Sequence, residues 1–303
     1  MNLEKQLKTD LHMHGLLSAP FEVYQAIAGR KLETLPQKFK SFEEFNHYLF
    51  SNFIHVIKTP DHIRSIVRAA FERLIDDGVV YAEVSFDVMI PELYQGSADI
   101  LFQILKDEKE RVASQVTIGL EIGVSRQMFR SLSAEIILQK VREWVLSKIF
   151  TSIDLYDDER VGCAKDFVPL YRFAEESGLK LKAHVGEFGP ATSVKDYVET
   201  LHLHSVQHGI RAADDPRVME FLAQRKTVLN ICPTSNVALG ACPSYAEHPA
   251  KKLHDAGVII TINTDDFGLF GASLKDEWGH LPEMGFSKTD IDQIVQNGLD
   301  QRR

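Results

Sequence analysis

The chain has 303 residues, which is enough to bury a substantial core in one large α/β barrel or in two domains. Hydrophobic residues make up 44% of it and charged residues 25%, the proportions of an ordinary globular protein. The formal net charge of -9 offers no broad basic surface, which argues against nucleic acid as a partner.

Short runs rich in Val and Ile alternate with longer amphipathic stretches from one end of the chain to the other. Most of the runs are apolar on both faces, as parallel strands buried between two layers are. The amphipathic stretches predict helices, for example over Asp61–Asp76, Ala98–Ser114 and Asp166–Glu176. The predicted strands are, in chain order, Leu7–His14, Val79–Phe86, Val116–Val124, Phe150–Tyr156, Leu179–Val185, Ser205–Ile210, Thr227–Cys232 and Val258–Asn263.

Strands that alternate with helices in this way predict a (β/α)8 TIM barrel, an α/β fold whose active site lies at the carboxyl ends of the strands. No low-complexity linker divides the sequence, so we expect one domain over residues 1–303. The connection over residues 16–60 is far longer than a typical βα loop, and it carries many aromatic residues. We interpret it as a helical insertion after the first strand, which packs its own apolar stripe and can also cover the barrel mouth. Its aromatic residues are Phe39, Phe42, Phe45, Tyr48, Phe50 and Phe53.

The sequence gives no sign of export or of membrane insertion. No apolar stretch of the kind that a signal peptide needs follows Met1–Gln6, and no apolar segment approaches the ~20 residues that cross a bilayer. Cys163, Cys232 and Cys242 lack the CxxC spacing of a metal site, so we expect reduced thiols. We therefore expect a cytoplasmic protein with no membrane partner, and the oligomeric state stays open.

Metal-binding residue types stand where predicted strands give way to loops. His12 and His14 are two apart in a strand, so both project from one face, into the barrel. The pair His202/His204 has the same spacing, but it precedes the sixth strand and so falls at the opposite end of the barrel, where residues serve stability. The other candidates, at the ends of later strands, are His184, His208 and Asp265.

This set of residues predicts a metal-assisted hydrolase. Three histidines and an aspartate can bind one divalent transition metal, and zinc suits them best. Glu187 stands three residues beyond His184 and remains free, together with a separate histidine, to move protons. A bound metal lowers the pKa of water from ~15.7 to roughly 7 and so supplies a nucleophile at neutral pH.

The motifs resemble those of the adenosine deaminase family of the amidohydrolase superfamily, from Lys8 to about Leu281. The resemblance implies one zinc ion per chain, with other divalent transition metals as substitutes, and metal ligands at His12, His14, His184 and Asp265. The matching segments are Asp10–Gly15 with the HxH pair, His184–Glu187 (HVGE for the family's HAGE), His208-Gly209, Cys232–Asn236 (CPTSN) and Asn263–Asp266 (NTDD).

The resemblance also implies roles for individual side chains. Glu187 would protonate N1 of a purine as C6 becomes tetrahedral, and would then assist the loss of ammonia. Asp265 and His208 would accept the water proton or orient the hydroxide, and Asp266 would contact N7. The other implied contacts with a small purine nucleoside are at His14, Asp157 and Gly186.

The leading interpretation is hydrolytic deamination of adenosine or of a modified adenine nucleoside, which converts adenosine and water to inosine and ammonia. Adenine, a 5′-substituted adenosine and an adenine nucleotide are alternative substrates. A metal-dependent phosphoesterase also opens with HxH, but it gives the HVGE and NTDD motifs no role. A catalytically silent binding protein of the same fold is disfavoured because every catalytic position holds a competent residue type.

Two departures from the family pattern concern the substrate. The family's HxHLDG aspartate, which holds the ribose 5′-hydroxyl, is absent, because His14 is followed by Gly15-Leu16-Leu17-Ser18. Unless Ser18 or the insertion replaces that contact, 5′ groups should be discriminated weakly. The family's fourth-strand glycine, whose N–H meets purine N3, aligns with Asp157. Binuclear amidohydrolases usually carry a metal-bridging lysine at the end of the fourth strand, and Ser152–Tyr156 has none, which favours a mononuclear site.

Overall fold

The structure, a computed structural model, describes residues 7–33, 38–39 and 42–302. Eight strands form one sheet in chain order, and each pairs in parallel with the next. The strands are β1 (Lys8–His14), β2 (Val79–Asp87), β3 (Thr117–Ser125), β4 (Phe150–Tyr156), β5 (Lys180–Val185), β6 (Ser205–His208), β7 (Val228–Ile231) and β8 (Ile259–Ile262).

Helices follow or separate these strands. Among the described residues, no helix is both long and apolar enough to span a bilayer. The helices are α1 (Phe21–Ala28), α2 (Phe42–Asn52), α3 (Pro60–Asp76), α4 (Ala98–Val112), α5 (Met128–Ser131), α6 (Ala134–Leu146), α7 (Val168–Glu176), α8 (Ala191–Thr200), α9 (Pro216–Arg225), α10 (Pro233–Ala238), α11 (Ala250–Asp255), α12 (Phe267–Phe270), α13 (Leu274–His280) and α14 (Lys288–Asp300).

The sheet closes where the chain leaves β8, through the backbone of Asp265. The N–H of Asp265 donates to the carbonyl oxygen of His12 at 2.9 Å, and the carbonyl of Asp265 accepts from the N–H of His14 at 3.4 Å. The predicted (β/α)8 barrel is therefore confirmed. Its closure also brings the ends of β8 and β1, both of which carry candidate site residues, into direct contact.

Side chains of the Asn263–Asp266 motif lock this seam. Asn263 Oδ1 accepts from the N–H of Leu11 at 2.7 Å, and the Thr264 hydroxyl donates to the buried carboxylate of Asp10 at 2.5 Å. Burial raises the pKa of Asp10 to about 6, although Thr264 and a nearby arginine oppose the shift. The first half of the motif thus holds the barrel closed, while the second half faces the cavity.

Strand and helix ends differ from the predicted ends by a few residues, for local reasons. The predicted strand Ser205–Ile210 ends at His208, because Gly209 adopts a φ of +68° and a 3-10 turn follows it. Helix α3 begins at Pro60, where the preceding Thr59 side chain accepts from a backbone N–H in the first turn. Side-chain caps of this kind fix helix starts more sharply than hydrophobic periodicity does.

The predicted helical insertion is confirmed by α1, α2 and a 3-10 turn over Ile54–Val56. Its aromatic rings pack against one another, with centroid distances of 4.6 Å for Tyr24 and Phe53 and 5.3 Å for Phe39 and Phe45. The insertion therefore has a small core of its own, as the aromatic run predicted. The side chain of Phe42 lies outside the described residues, and the single-domain assignment over residues 1–303 stays a prediction.

Beneath the rim, the barrel interior holds a buried ion cluster. Lys182 lies two residues before His184 on β5, and its ammonium group contacts Glu83 of β2 and Glu121 of β3. Burial opposes the charge of Lys182, but Glu121 and Glu83 outweigh it and raise the pKa of the lysine above its usual value. Moving β5 away from β2 and β3 would separate these charges and leave at least one of them buried without a partner, which is costly in energy. The cluster therefore holds the three strands together.

A close contact between α14 and β1 predicts a stability difference between two glycine substitutions. A Cβ at Gly298 would lie 2.0 Å from Thr9 Oγ1, whereas a Cβ at Gly279 of α13 would meet nothing within 4 Å. Gly298→Ala should lower the free energy of unfolding by about 1–3 kcal/mol, because the packed side chain must shift. Gly279→Ala should leave it unchanged or raise it by up to about 1 kcal/mol. Chemical denaturation measures both, and equal stabilities would contradict the contact.

Candidate metal centre and active site

The carboxyl ends of four strands bring the predicted metal-binding residues to one rim. His12 and His14 lie at the end of β1, His184 near the end of β5, and His208 at the end of β6. Asp265 lies three residues beyond the end of β8, at the seam. The ligand atoms of the buried residues His12, His184, His208 and Asp265 all lie within 4.8 Å of one another, and His14 stands beside them.

Two of the imidazoles are oriented by hydrogen bonds at their outer ring nitrogens. His12 Nδ1 lies 3.1 Å from the carbonyl oxygen of Asn230, and His184 Nδ1 lies 3.1 Å from Oδ1 of Asp154. A carbonyl oxygen and a carboxylate accept hydrogen bonds, so each Nδ1 carries the hydrogen and each Nε2 keeps its lone pair. The two Nε2 atoms are only 2.9 Å apart.

This pair of nitrogens fits a metal ion. Two lone pairs at that distance repel each other unless a proton or a cation is shared between them. Burial lowers the pKa of His12 to about 4 and that of His184 well below its usual value, which disfavours an extra proton on either ring. Imidazole nitrogens with a carboxylate oxygen nearby are donors that zinc and related transition metals accept.

Asp265 faces three histidines. Its Oδ1 is 3.6 Å from His12 Nε2 and 3.5 Å from His14 Nε2, and its Oδ2 is 3.7 Å from His208 Nε2. Its φ of +59° lies in the left-handed region, which a residue with a side chain adopts at some cost in energy. The predicted ligands His12, His14, His184 and Asp265 therefore converge, and their role as ligands stays a prediction.

Asn236 holds the side chains of Glu187 and His208. Its Nδ2 donates to Glu187 Oε1 at 2.8 Å and lies 3.1 Å from His208 Nδ1. Because an amide nitrogen only donates, His208 Nδ1 is the acceptor and Nε2 carries the hydrogen. In this tautomer His208 can donate a hydrogen bond to a water molecule through Nε2. In the sequence, Asn236 stands out only as the last residue of the CPTSN motif, and the motif alone predicts no role for it.

The carboxyl group of Glu187 is buried, and its pKa is shifted toward the protonated form. Burial raises its pKa well above the usual value, the charges of Asp265 and Glu159 raise it further, and the amide of Asn236 opposes them. Glu187 Oε2 lies 3.6 Å from His208 Nε2. A carboxyl group that keeps its proton near neutral pH can donate that proton to a bound molecule.

Asp266 is a second buried carboxyl group, and it lines the cavity. Burial raises its pKa well above the usual value, and the neighbouring Asp265 and Glu187 add to the shift. Within the described part of the chain, its Oδ1 has no hydrogen-bond partner. Buried polar atoms are nearly always paired, so this oxygen is suited to a ligand atom. The implied contact with purine N7 stays a prediction.

Gly186 and Asp157, the other implied substrate contacts, already have protein partners. The N–H of Gly186 donates to Glu159 Oε2 at 2.6 Å. The carboxylate of Asp157 accepts from the Ser125 hydroxyl at 2.7 Å and from the N–H of Asp158 at 2.7 Å. Asp157 nevertheless lines the cavity, with a φ of +83°. Direct contacts of either residue with a substrate stay predictions.

The aspartate of the family's HxHLDG pattern falls two residues after His14, where this chain has Leu16, a buried side chain in the cavity wall. Gly15, one residue earlier, is packed so closely that a Cβ there would lie 2.3 Å from the ring of Phe86. Ser18 is fully buried, and its hydroxyl faces the carbonyl oxygens of His14 at 2.8 Å and of Asp265 at 3.3 Å. Ser18 therefore ties the loop to the barrel seam, and the sequence-based suggestion that it replaces the missing contact is not supported.

A cavity of about 1180 Å³ extends from the histidines toward the insertion. Carboxylates of Asp87, Asp157 and Asp158 lie along its wall at the ends of β2 and β4. The two arginines in the wall are already engaged: Arg126 donates to a tyrosine hydroxyl and to a carbonyl, and Arg160 donates to Asp158. The insertion contributes an apolar wall, formed by Leu16, Leu17, Phe39, Phe45, Leu49, Phe50 and Ile54.

The sequence and the fold are similar to those of known deaminases. Residues 23–302 match the family model described as adenosine deaminase. A Treponema pallidum (strain Nichols) protein named as an adenosine/adenine deaminase is 36% identical over 272 residues, which cover 90% of this chain and 90% of that protein. Adenine deaminase from Arthrobacter aurescens has a solved structure with a TM-score of 0.87 at 25% identity, covering 97% of this chain and 93% of that one.

A second solved structure shows the same fold. It is an amidohydrolase from Burkholderia ambifaria with bound zinc, which matches with a TM-score of 0.81 at 22% identity. The match covers 97% of this chain and 85% of that one. Likeness at this identity shows that the two chains share an architecture.

The paired Nε2 atoms predict one tightly bound transition metal per chain, with zinc preferred. His184→Ala should lose the metal, because it removes one of the two facing nitrogens. His202→Ala is the matched control, since this histidine is exposed at the other end of the barrel and should leave the metal content unchanged. Elemental analysis of gently purified protein measures both. Equal metal content in the two variants, or two metals per chain in the parent, would contradict the assignment.

Proposed function

Because the chain belongs to the adenosine deaminase family, we propose that it hydrolytically deaminates adenosine or a modified adenine nucleoside. The observation that carries this proposal is the buried carboxyl of Glu187, with a raised pKa, 3.6 Å from His208 Nε2 at the rim where the Nε2 atoms of His12 and His184 face each other. Displacing an amino group from a purine needs both a proton donor for the ring and an activated water molecule. The site has residues for each task within one cavity.

We assign the metal ligands to His12, His14, His184 and Asp265, and the metal to one zinc ion. When bound there, the ion would lower the pKa of water so that hydroxide forms near neutral pH. The donor set supports zinc, and the Burkholderia ambifaria protein of the same fold holds zinc. His208 is left out of the ligand set because its Nε2 carries the hydrogen in the tautomer that Asn236 favours.

The remaining residues move protons and orient the reactants. Glu187 donates its proton to purine N1, which makes C6 electrophilic, and it then assists the departure of ammonia. His208 orients the attacking water through its Nε2–H, and Asp265 accepts the proton that the water loses. Asp266 donates a hydrogen bond from its protonated carboxyl to N7. The raised pKa values of Glu187 and Asp266 and the contacts of Asn236 support these roles.

The purine site would be completed by His14, Asp157 and Gly186. Asp157 lines the cavity, and His14 stands beside Asp265 at the rim. The N–H of Gly186 already donates to Glu159, so this glycine would contact the substrate only through van der Waals packing of its backbone. We also propose that the insertion over residues 16–60 acts as a cover, whose apolar side chains exclude bulk water from the reaction.

Adenine itself is the second candidate substrate. The Arthrobacter aurescens neighbour is titled adenine deaminase, and the Treponema pallidum relative carries both names. The cavity of about 1180 Å³ is large even for a drug-sized ligand, which favours a nucleoside over the free base. Ammonia release from adenosine and adenine decides between them. A kcat/KM more than about tenfold higher for adenine would shift the proposal to the base.

Replacing Glu187 tests the proposed mechanism. Glu187→Gln should keep the fold and the metal yet lower kcat by about 10²–10⁴-fold, because the amide cannot donate a proton as an acid. Glu220→Gln makes the same chemical change on the exposed surface of α9 and should leave kcat unchanged. Steady-state kinetics on metal-loaded protein measures both. A Glu187→Gln variant within a few-fold of the parent would make this residue an ordinary loop residue.

The 5′ position of the sugar should be recognised weakly when it is uncharged. The family's aspartate is missing, the apolar Leu16 stands in its place, and the Ser18 hydroxyl faces backbone carbonyls instead. A phosphate, by contrast, would meet the carboxylates of Asp87 and Asp157, while the arginines of the wall are already engaged.

We therefore expect 5′-deoxyadenosine to be deaminated within about tenfold of adenosine or better, and AMP at least about a hundredfold less well. Comparing kcat/KM for the three compounds checks both parts. A loss of more than about a hundredfold on removing the hydroxyl would mean that another group holds it. AMP turned over as well as adenosine would contradict the role given to the carboxylates.

A further inference from the structure

Glu159 binds three successive backbone N–H groups of the turn that follows β5. Its Oε2 accepts from Gly186 at 2.6 Å, and its Oε1 accepts from Glu187 at 2.9 Å and from Phe188 at 2.9 Å. Successive N–H groups that point to one side form a small anion-binding concavity. Here the concavity is filled by a carboxylate of the same chain, from the loop that follows β4.

The turn depends on this carboxylate for its shape. Gly186 and Glu187 are buried, so their N–H groups need an acceptor within the protein. Gly186 has a φ of +75°, and a Cβ on Gly189 would lie 2.7 Å from Glu159 Oε2. The turn therefore wraps closely around the Glu159 carboxylate, and the loop after β4 is tied to the loop after β5.

Glu187 is held at two points. Glu159 binds its backbone N–H, and Asn236 binds its carboxyl group at 2.8 Å. With both contacts in place, the carboxyl group lies 3.6 Å from His208 Nε2. Loss of the backbone contact would let the turn relax, and a misplacement of about 1 Å can lower the rate of a reaction by about a hundredfold.

We propose that Glu159 is a positioning residue, which fixes the turn that presents Glu187 to the substrate. This inference rests on the proposed deaminase function, with Glu187 as proton donor. Glu159 lines the cavity, but both of its carboxylate oxygens already accept from backbone N–H groups, so we place its action on Glu187 rather than on the substrate. The role differs from general stabilisation, because its loss should affect the chemical step more than substrate binding.

Kinetics of Glu159→Gln tests the proposal. The substitution keeps one oxygen as an acceptor but turns an NH₂ group toward a backbone N–H, so at least one of the three contacts is lost. In metal-loaded protein kcat should fall about 10–100-fold, while KM and metal content stay within about threefold. Glu175→Gln, at an exposed ion pair with His202, is the matched control and should match the parent. A kcat within threefold of the parent would overturn the proposal.

A double-mutant cycle separates positioning from general stabilisation. If Glu159 acts through Glu187, Glu159→Gln should lower kcat by less than about threefold once Glu187→Gln is already present. Equal fold-losses in the two backgrounds would overturn the proposal, because they would show that Glu159 acts independently of Glu187.

Backbone hydrogen exchange provides a readout that needs no activity. The amides of residues 186–188 should exchange faster in Glu159→Gln, while those of β6 keep the parent's protection. Unchanged exchange over residues 186–188 would overturn the proposal even in an active enzyme. A parent that exchanges as expected but releases no ammonia from any adenine compound would instead refute the proposed function.

Discussion

Two unprotonated ring nitrogens, His12 Nε2 and His184 Nε2, face each other 2.9 Å apart, and the candidate site is arranged around them. Their outer nitrogens are held by Asn230 and Asp154, so neither ring can turn away without losing a hydrogen bond. Burial lowers the pKa of both rings, which disfavours a proton shared between the two nitrogens. A bound cation would stabilise the pair, and further donors stand beside it.

The barrel supplies the rigidity that such a pair requires. Asn263 and Thr264 close the seam on which Asp265 sits, and the ion cluster of Lys182 with Glu83 and Glu121 holds β5 two residues below His184. These contacts lie beneath or beside the site and do not enter the cavity chemistry. Residues that stabilise the barrel therefore stand next to candidate site residues in the sequence, as Thr264 does beside Asp265.

The sequence predicted the parts of the site that depend on strand ends. Parallel strands deliver their carboxyl ends to one rim, so His184, His208 and Asp265 could be placed together before any contact was known. The contacts of Asn236 and Glu159 could not be predicted in this way. Each residue contacts a segment 27 or more residues away in the sequence, and its position depends on the path of the connections between strands. For the same reason the partner of the Gly186 N–H was missed, and the resemblance alone suggested a substrate contact there.

X-ray absorption at the zinc edge of the zinc-loaded protein tests the central claim most directly. The claim is that imidazole nitrogens and a carboxylate oxygen hold the ion, although the thiol of Cys232 lies only 3.3 Å from His12 Nδ1. The account predicts nitrogen and oxygen neighbours at about 2.0–2.1 Å, outer scattering from several imidazole rings, and no sulfur. A sulfur neighbour at about 2.3 Å, or a spectrum without imidazole scattering, would contradict it.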